Sequence, residues 1–176
     1  MQTWKINNLE INWETEAGKK IVELCKALKE NNIKPELILF GSAPLQLLVN
    51  KTFLSGDIDI LSNDISPKLK EMGFLEGQSH PHFEVCETNT FRTCKNWIKR
   101  ARKESIEGVT VIIPHPIDIL VGKLLRLEPK DIAAFKMCIN KTGHPTEPEL
   151  IEALQTALEI YKPTFGQRTS RRCLEA

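Results

Sequence analysis

Asp57 and Asp59 stand two residues apart in the run Asp57-Ile58-Asp59-Ile60-Leu61, where acids and aliphatics alternate. On a strand, that alternation sends both carboxylates to one face and the aliphatics to the other, with the acids roughly 6.6–7 Å apart at Cα. Carboxylates so placed can converge on a hard divalent cation such as Mg²⁺, which takes oxygen ligands together with water and substrate phosphates. The same pattern also suits a solvated or ion-paired face. Upstream, Phe40-Gly41-Ser42 closes a short apolar run and precedes a helical segment. There the glycine permits close backbone approach, while the Ser hydroxyl and the N–H groups opening the helix can hold a phosphate. The two elements fit one task, binding a nucleoside triphosphate with its metal.

Periodicity supplies the elements that must position these residues. Ala17, Ile21, Leu24, Cys25 and Leu28 recur at spacings of three and four, which predicts an amphipathic helix over 15–31. Leu37-Ile38-Leu39-Phe40 has the length of a buried strand, residues 43–50 read as a helix, and 57–61 as the acidic strand. Ser66-Pro67 predicts a helix start with Ser66 as N-cap, stopped by Gly73. His82 to Cys86 and Val109 to Ile113 predict two more strands, and the stretch FRTCKNWIKRARKESIEG between them is basic without a clear period. From Pro116 the pattern turns helical: 117–127, then 129–141 closed by Gly143, then a capping box at Thr146 and Glu149 opening a helix to about Tyr161. The expected class is α/β (α+β), a small mixed sheet flanked by helices with a helical C-terminal section. A core over 1–115, a helical section over 116–162 packed on it and a flexible tail over 163–176 are expected.

The chain has 176 residues, one domain's worth, and its 41% apolar and 27% charged residues exclude a disordered or low-complexity class. Lys plus Arg number 24 against 23 for Asp plus Glu, a net charge of +1, so any nucleic-acid contact must be local. No apolar run approaches the roughly 18 residues of a spanning helix, and the N-terminus lacks a signal-peptide pattern, so a cytoplasmic location without a membrane partner is expected. Five scattered cysteines without a C-x-x-C argue for free thiols over a disulfide framework or zinc ribbon. His80, His82 and His115 could join Cys86 around zinc, but no second local pair accompanies the H-x-H. Lys95, Lys99, Arg100, Arg102 and Lys103 with Trp97 could grip an RNA backbone, or form an exposed face with Trp97 tucked inward. Neither a P-loop nor a G-x-S-x-G elbow occurs, which argues against P-loop ATPases and serine hydrolases.

The stretch LFGSAPLQLLVNKTFLSGDIDIL, with 14 residues between Ser42 and Asp57, resembles the signature of the nucleotidyltransferase-fold superfamily related to DNA polymerase beta. The resemblance implies that Gly41 and Ser42 contact the triphosphate and that Asp57 and Asp59 bind Mg²⁺ or Mn²⁺. It is nearest to the AbiEii-type branch, including MenA-like toxins, where a Ser or Thr near the acids corresponds to Ser55 here. A second block, HPIDILVGKLLRLEPKDIAAF, resembles that branch's third motif. By this likeness Lys123 contacts nucleotide phosphate, and Asp131 positions substrate or the lysine. Lys123 sits between Val121 and Leu124, where burial without an anionic partner is costly and snorkelling to solvent is the alternative. Ala134 stands where that branch carries a second Asp, and Phe40-Gly41 where many members carry Gly-Gly.

The superfamily's third carboxylate, the base for the attacking hydroxyl, corresponds to Glu84, with Glu87 next; a solvated Glu84 is the alternative. The implied function is transfer of a nucleoside monophosphate from NTP to an acceptor hydroxyl. The tRNA 3′ end is the implied acceptor, in a toxin or phage-defence role with a cognate antitoxin as partner. A protein or a small molecule could serve as acceptor at the same site. From another class, the alternative is a non-catalytic module acting as an antitoxin or a nucleotide-binding partner.

Overall fold

The computed structural model describes residue 4 and residues 9–53, 56–86, 91–124 and 127–160. Helix α1 (Glu16–Glu30) begins where the Thr15 hydroxyl accepts the Gly18 N–H at 3.0 Å, and it buries Ile21, Leu24, Cys25 and Leu28. These side chains pack on the back of a five-stranded sheet of order β3-β2-β1-β5-β4. Its strands are β1 (Glu36–Leu39), β2 (Asp57–Leu61), β3 (His82–Cys86), β4 (Arg102–Ile106) and β5 (Val109–Ile113). The β1–β2 and β4–β5 pairs are antiparallel, while β1–β5 and β2–β3 are parallel, so the sheet is mixed.

Alternation along the strands gives the two faces different work. Leu37, Leu39, Ile58, Ile60, Phe83, Val109, Val111 and Ile113 face back into the main core with α1. Phe40 and Leu61 belong instead to a second apolar cluster with Leu45, Ile119, Leu120, Ala134 and Cys138 on the front. That cluster draws on α2 (Ala43–Leu48), α4 (Pro116–Leu124) and α5 (Pro129–Thr142). Helix α4 also packs on α6 (Glu147–Ile160). Gly143, at φ +72°, closes α5, and the Thr146 N–H donates to Glu149 Oε2 at 2.8 Å as α6 opens.

Two elements differ from the sequence-based expectation. In α3 (Ser66–Glu71) the cap position belongs to Ile65 and not Ser66, and no side chain caps the helix. Burial of Ile65 in the main core sets that start one residue early. Strand β4 arises within the basic stretch left without a period. Arg102-Lys103-Glu104-Ser105-Ile106 carries one apolar residue because β4 is an edge strand, and its charges blunt that edge. A two-residue turn joins it to β5, with positive φ at both Glu107 (52°) and Gly108 (82°), the backbone of a type I′ hairpin. The expected tail over 163–176 lies outside the described residues. Among the described residues, no helix is long and apolar enough to cross a membrane.

Candidate active site

The antiparallel β1–β2 pair carries the end of β1 past Asp59, and the Phe40 N–H donates to the Asp59 carbonyl at 3.1 Å. Gly41 then turns the chain at φ +64°. A Cβ at Gly41 would overlap Asp59 Oδ2 and lie 2.9 Å from its Cγ, so the glycine backbone lies directly against the carboxylate. Ser42 follows, and its hydroxyl does not cap α2; the Leu45 and Gln46 N–H groups both return to the Ser42 carbonyl at 3.1 Å. The Gly-Ser turn and the acidic strand therefore form one surface.

Parallel pairing of β2 with β3 sets Asp57 opposite His82, Asp59 opposite Glu84 and Leu61 opposite Cys86. Asp59, Glu84 and Cys86 converge, with a carboxylate oxygen of each acid and the thiol sulfur all within 4.8 Å of one another. Burial, then the charges of Asp57 and Glu84 and a hydrogen bond with Glu84, push the Asp59 carboxyl up to about 6, against a smaller opposing pull from Lys123. The Cys86 thiol is pushed up to about 11, first by burial and then by Asp59, Glu84 and Asp57. Acids crowded around the Asp59 carboxyl and the Cys86 thiol mark a site for positive charge, and this donor set fits a divalent cation.

Helix α4 brings a cation whose charge acts on Asp59. Lys123 is 8% exposed, and its Nζ lies 3.2 Å from Asp131 Oδ1, a carboxylate that is fully buried. The other Asp131 oxygen accepts the Glu128 N–H at 3.0 Å, half of the capping box that opens α5. The start of α5 thus holds the carboxylate that orients Lys123, whose charge reaches Asp59. Gly41, Ser42, Asp57, Asp59, Glu84, Lys123 and Asp131 accordingly lie around one region on the front of the sheet. Ser55 and Glu87 lie outside the described residues. Alternation along the strand already puts Cys86 on the face of Glu84, but as a metal ligand the sequence suggests it only beside histidines; its approach to Asp59 follows from the β2–β3 register.

Other candidates are committed elsewhere. His115 uses both ring nitrogens: Nδ1 accepts the Ile117 N–H at 2.9 Å and Nε2 meets the Trp4 carbonyl at 3.0 Å. In the basic stretch, Arg100 forks onto the fully buried Asp118 at 2.6 and 3.1 Å, and Arg102 binds the Leu9 carbonyl and Glu104. Lys95 reaches Glu159 at 3.7 Å. Trp97 packs edge-on against Phe91 at 5.0 Å in the front cluster. Lys99 and Lys103 are exposed.

Comparison with family models gives the class, a nucleotidyltransferase. The matching model, described as "Nucleotidyltransferase of unknown function (DUF6036)", spans residues 17–138, and the chain belongs to that family. An antigenic nucleotidyltransferase-like protein from Paracoccidioides brasiliensis, known from its crystal structure, is similar over 82% of this chain and 86% of that one, at 20% identity and a TM-score of 0.48. Among curated proteins none matches.

Proposed function

We propose that this protein is a metal-dependent nucleotidyltransferase that moves a nucleoside monophosphate from an NTP to an acceptor hydroxyl. The observation that carries this reading is the contact between Gly41 and the Asp59 carboxylate, which makes the phosphate-binding turn and the acidic cluster one site. Asp57 and Asp59, with Glu84 beside them, hold Mg²⁺ or Mn²⁺. A divalent cation held there offsets charge on the triphosphate and on the oxygens around the attacked phosphorus. The Gly41 backbone and the Ser42 hydroxyl seat the β and γ phosphates, and Lys123, oriented by Asp131, adds positive charge. Glu84 is the most exposed of the three acids and takes the acceptor proton. The acceptor oxygen bonds to the α-phosphorus, the bond to the bridging oxygen breaks, and pyrophosphate leaves.

For the acceptor we assign an RNA 3′ hydroxyl, supported by the exposed Lys99 and Lys103, in a growth-arresting role with a cognate antitoxin as the resemblance to AbiEii and MenA-like toxins implies. The test supplies each labelled NTP with Mg²⁺ and total tRNA to the wild type and to Asp59→Asn. Label in RNA from the wild type alone is expected, reduced when Lys99 and Lys103 are both alanine. Label in protein replaces the acceptor; NTP binding without pyrophosphate release replaces the enzyme with a binding module.

A further inference from the structure

We propose that Cys86 is a ligand in this metal site, and that its sulfur biases the site toward a borderline divalent cation of the first transition row, of the Zn²⁺ and Co²⁺ kind, over Mg²⁺. This rests on reading Asp59 and Glu84 as metal-binding, and it is independent of turnover. Three placements support it. Cys86 lies two residues from Glu84 on the same face of β3, and the parallel register puts that face beside Asp59. Its sulfur and one oxygen from each acid fall within 4.8 Å of one another, so side-chain shifts of under about 1 Å bring all three to the roughly 2.0–2.3 Å that a single bound cation requires. Among the described residues this is the one such grouping of His, Cys, Asp and Glu, and Cys25, Cys94 and Cys138 are buried and not part of it.

The chemistry of the donors sets the preference. Mg²⁺ demands a near-ideal octahedron of oxygens, so a thiolate contributes nothing to holding it. Zn²⁺ and Co²⁺ accept carboxylate oxygen and sulfur together. On binding, the sulfur–metal bond forms as the thiol proton passes to solvent, with no change of oxidation state. The competing account of Cys86 is a small apolar filler against the front cluster, where its side chain also packs.

The experiment uses the full chain carrying Cys173→Ser, so that the thiol in the segment outside the described residues adds no signal, and titrates Co²⁺ alone. The near-ultraviolet sulfur-to-cobalt charge-transfer absorption should grow to saturation in this protein. It should be absent when Cys86→Ser or Cys86→Ala is added, and Asp59→Asn should bind cobalt much more weakly. The Zn²⁺ to Mg²⁺ affinity ratio should fall at least about tenfold in Cys86→Ser. Cobalt bound without the absorption, an absorption unchanged by Cys86→Ser, or no cobalt binding at all overturns the proposal. Mg²⁺-dependent pyrophosphate release by the wild type reads the transferase separately. Release without the absorption removes only the sulfur ligand, and the absorption without release removes only the transferase.

Discussion

A methyl group on Gly41 would meet the Asp59 carboxylate and would also have to tolerate φ +64°. Gly41→Ala should therefore displace Asp59, lowering nucleotide transfer by about a hundredfold or more, for a stability cost near 1 kcal/mol from the backbone strain. Steady-state kinetics beside a thermal melt separate the two effects, and full activity in Gly41→Ala contradicts the joint site. Asp59 gives a second prediction through pH. Its folded-state pKa of about 6 exceeds the ordinary carboxyl value of 3.8, so the folded state holds its proton more tightly than the unfolded chain does. The metal-free protein consequently loses stability as pH rises from about 4 to 6, by roughly 2–3 kcal/mol at most. Mg²⁺ or Mn²⁺ relieves the ionised cluster, so the rise in melting temperature on adding metal should be larger at pH 7.5 than at pH 5. A rise independent of pH contradicts this electrostatic account. Gly41, Asp57, Asp59 and Lys123 are legible in the sequence because their residue types are unusual at their places. Cys86 is not, because its meeting with Asp59 depends on a strand register between segments more than twenty residues apart.

At the scale of elements, α4 and α5 are fastened through the buried Lys123–Asp131 pair and the capping box that shares the same carboxylate. Asp131→Ala leaves the Lys123 charge buried without its carboxylate and frees the Glu128 N–H. We expect a loss of about 3–5 kcal/mol in urea unfolding. Adding Lys123→Met should recover much of that stability while leaving nucleotide transfer impaired, since the cation near Asp59 is gone. If the double variant is no more stable than Asp131→Ala, the buried charge is not the source of the loss. Helix α1 was readable from its apolar stripe alone, and α5 and α6 from local punctuation at Gly143 and Glu149. Strand β4 was not, since an edge strand with polar residues on both faces has no hydrophobic alternation to detect. Ser66 misled for a related reason: a good capping residue yields when tertiary burial of its neighbour Ile65 decides where the chain turns.

Over the whole molecule, a small mixed sheet flanked by helices was legible as a class, because strands and helices alternate in the chain. The sheet order was not. β5 joins β1 across seventy residues to lie between β1 and β4, a pairing that no local pattern encodes. That order puts Lys103 and Glu84 on opposite edge strands, four strand spacings or roughly 19 Å apart, so an RNA touching both must span the sheet. The net charge of +1 leaves no general basic field to hold it, and Arg100, Arg102 and Lys95 are already bound to acids of the chain. The central claim, that the joined Gly-Ser turn and acidic cluster transfer nucleotides, is tested most directly by the rate of pyrophosphate release from NTP with Mg²⁺ and total tRNA. The wild type should release pyrophosphate, chelation should stop it, and Asp59→Asn should be slower by about a thousandfold with its fold intact. Equal rates in wild type and Asp59→Asn would contradict it.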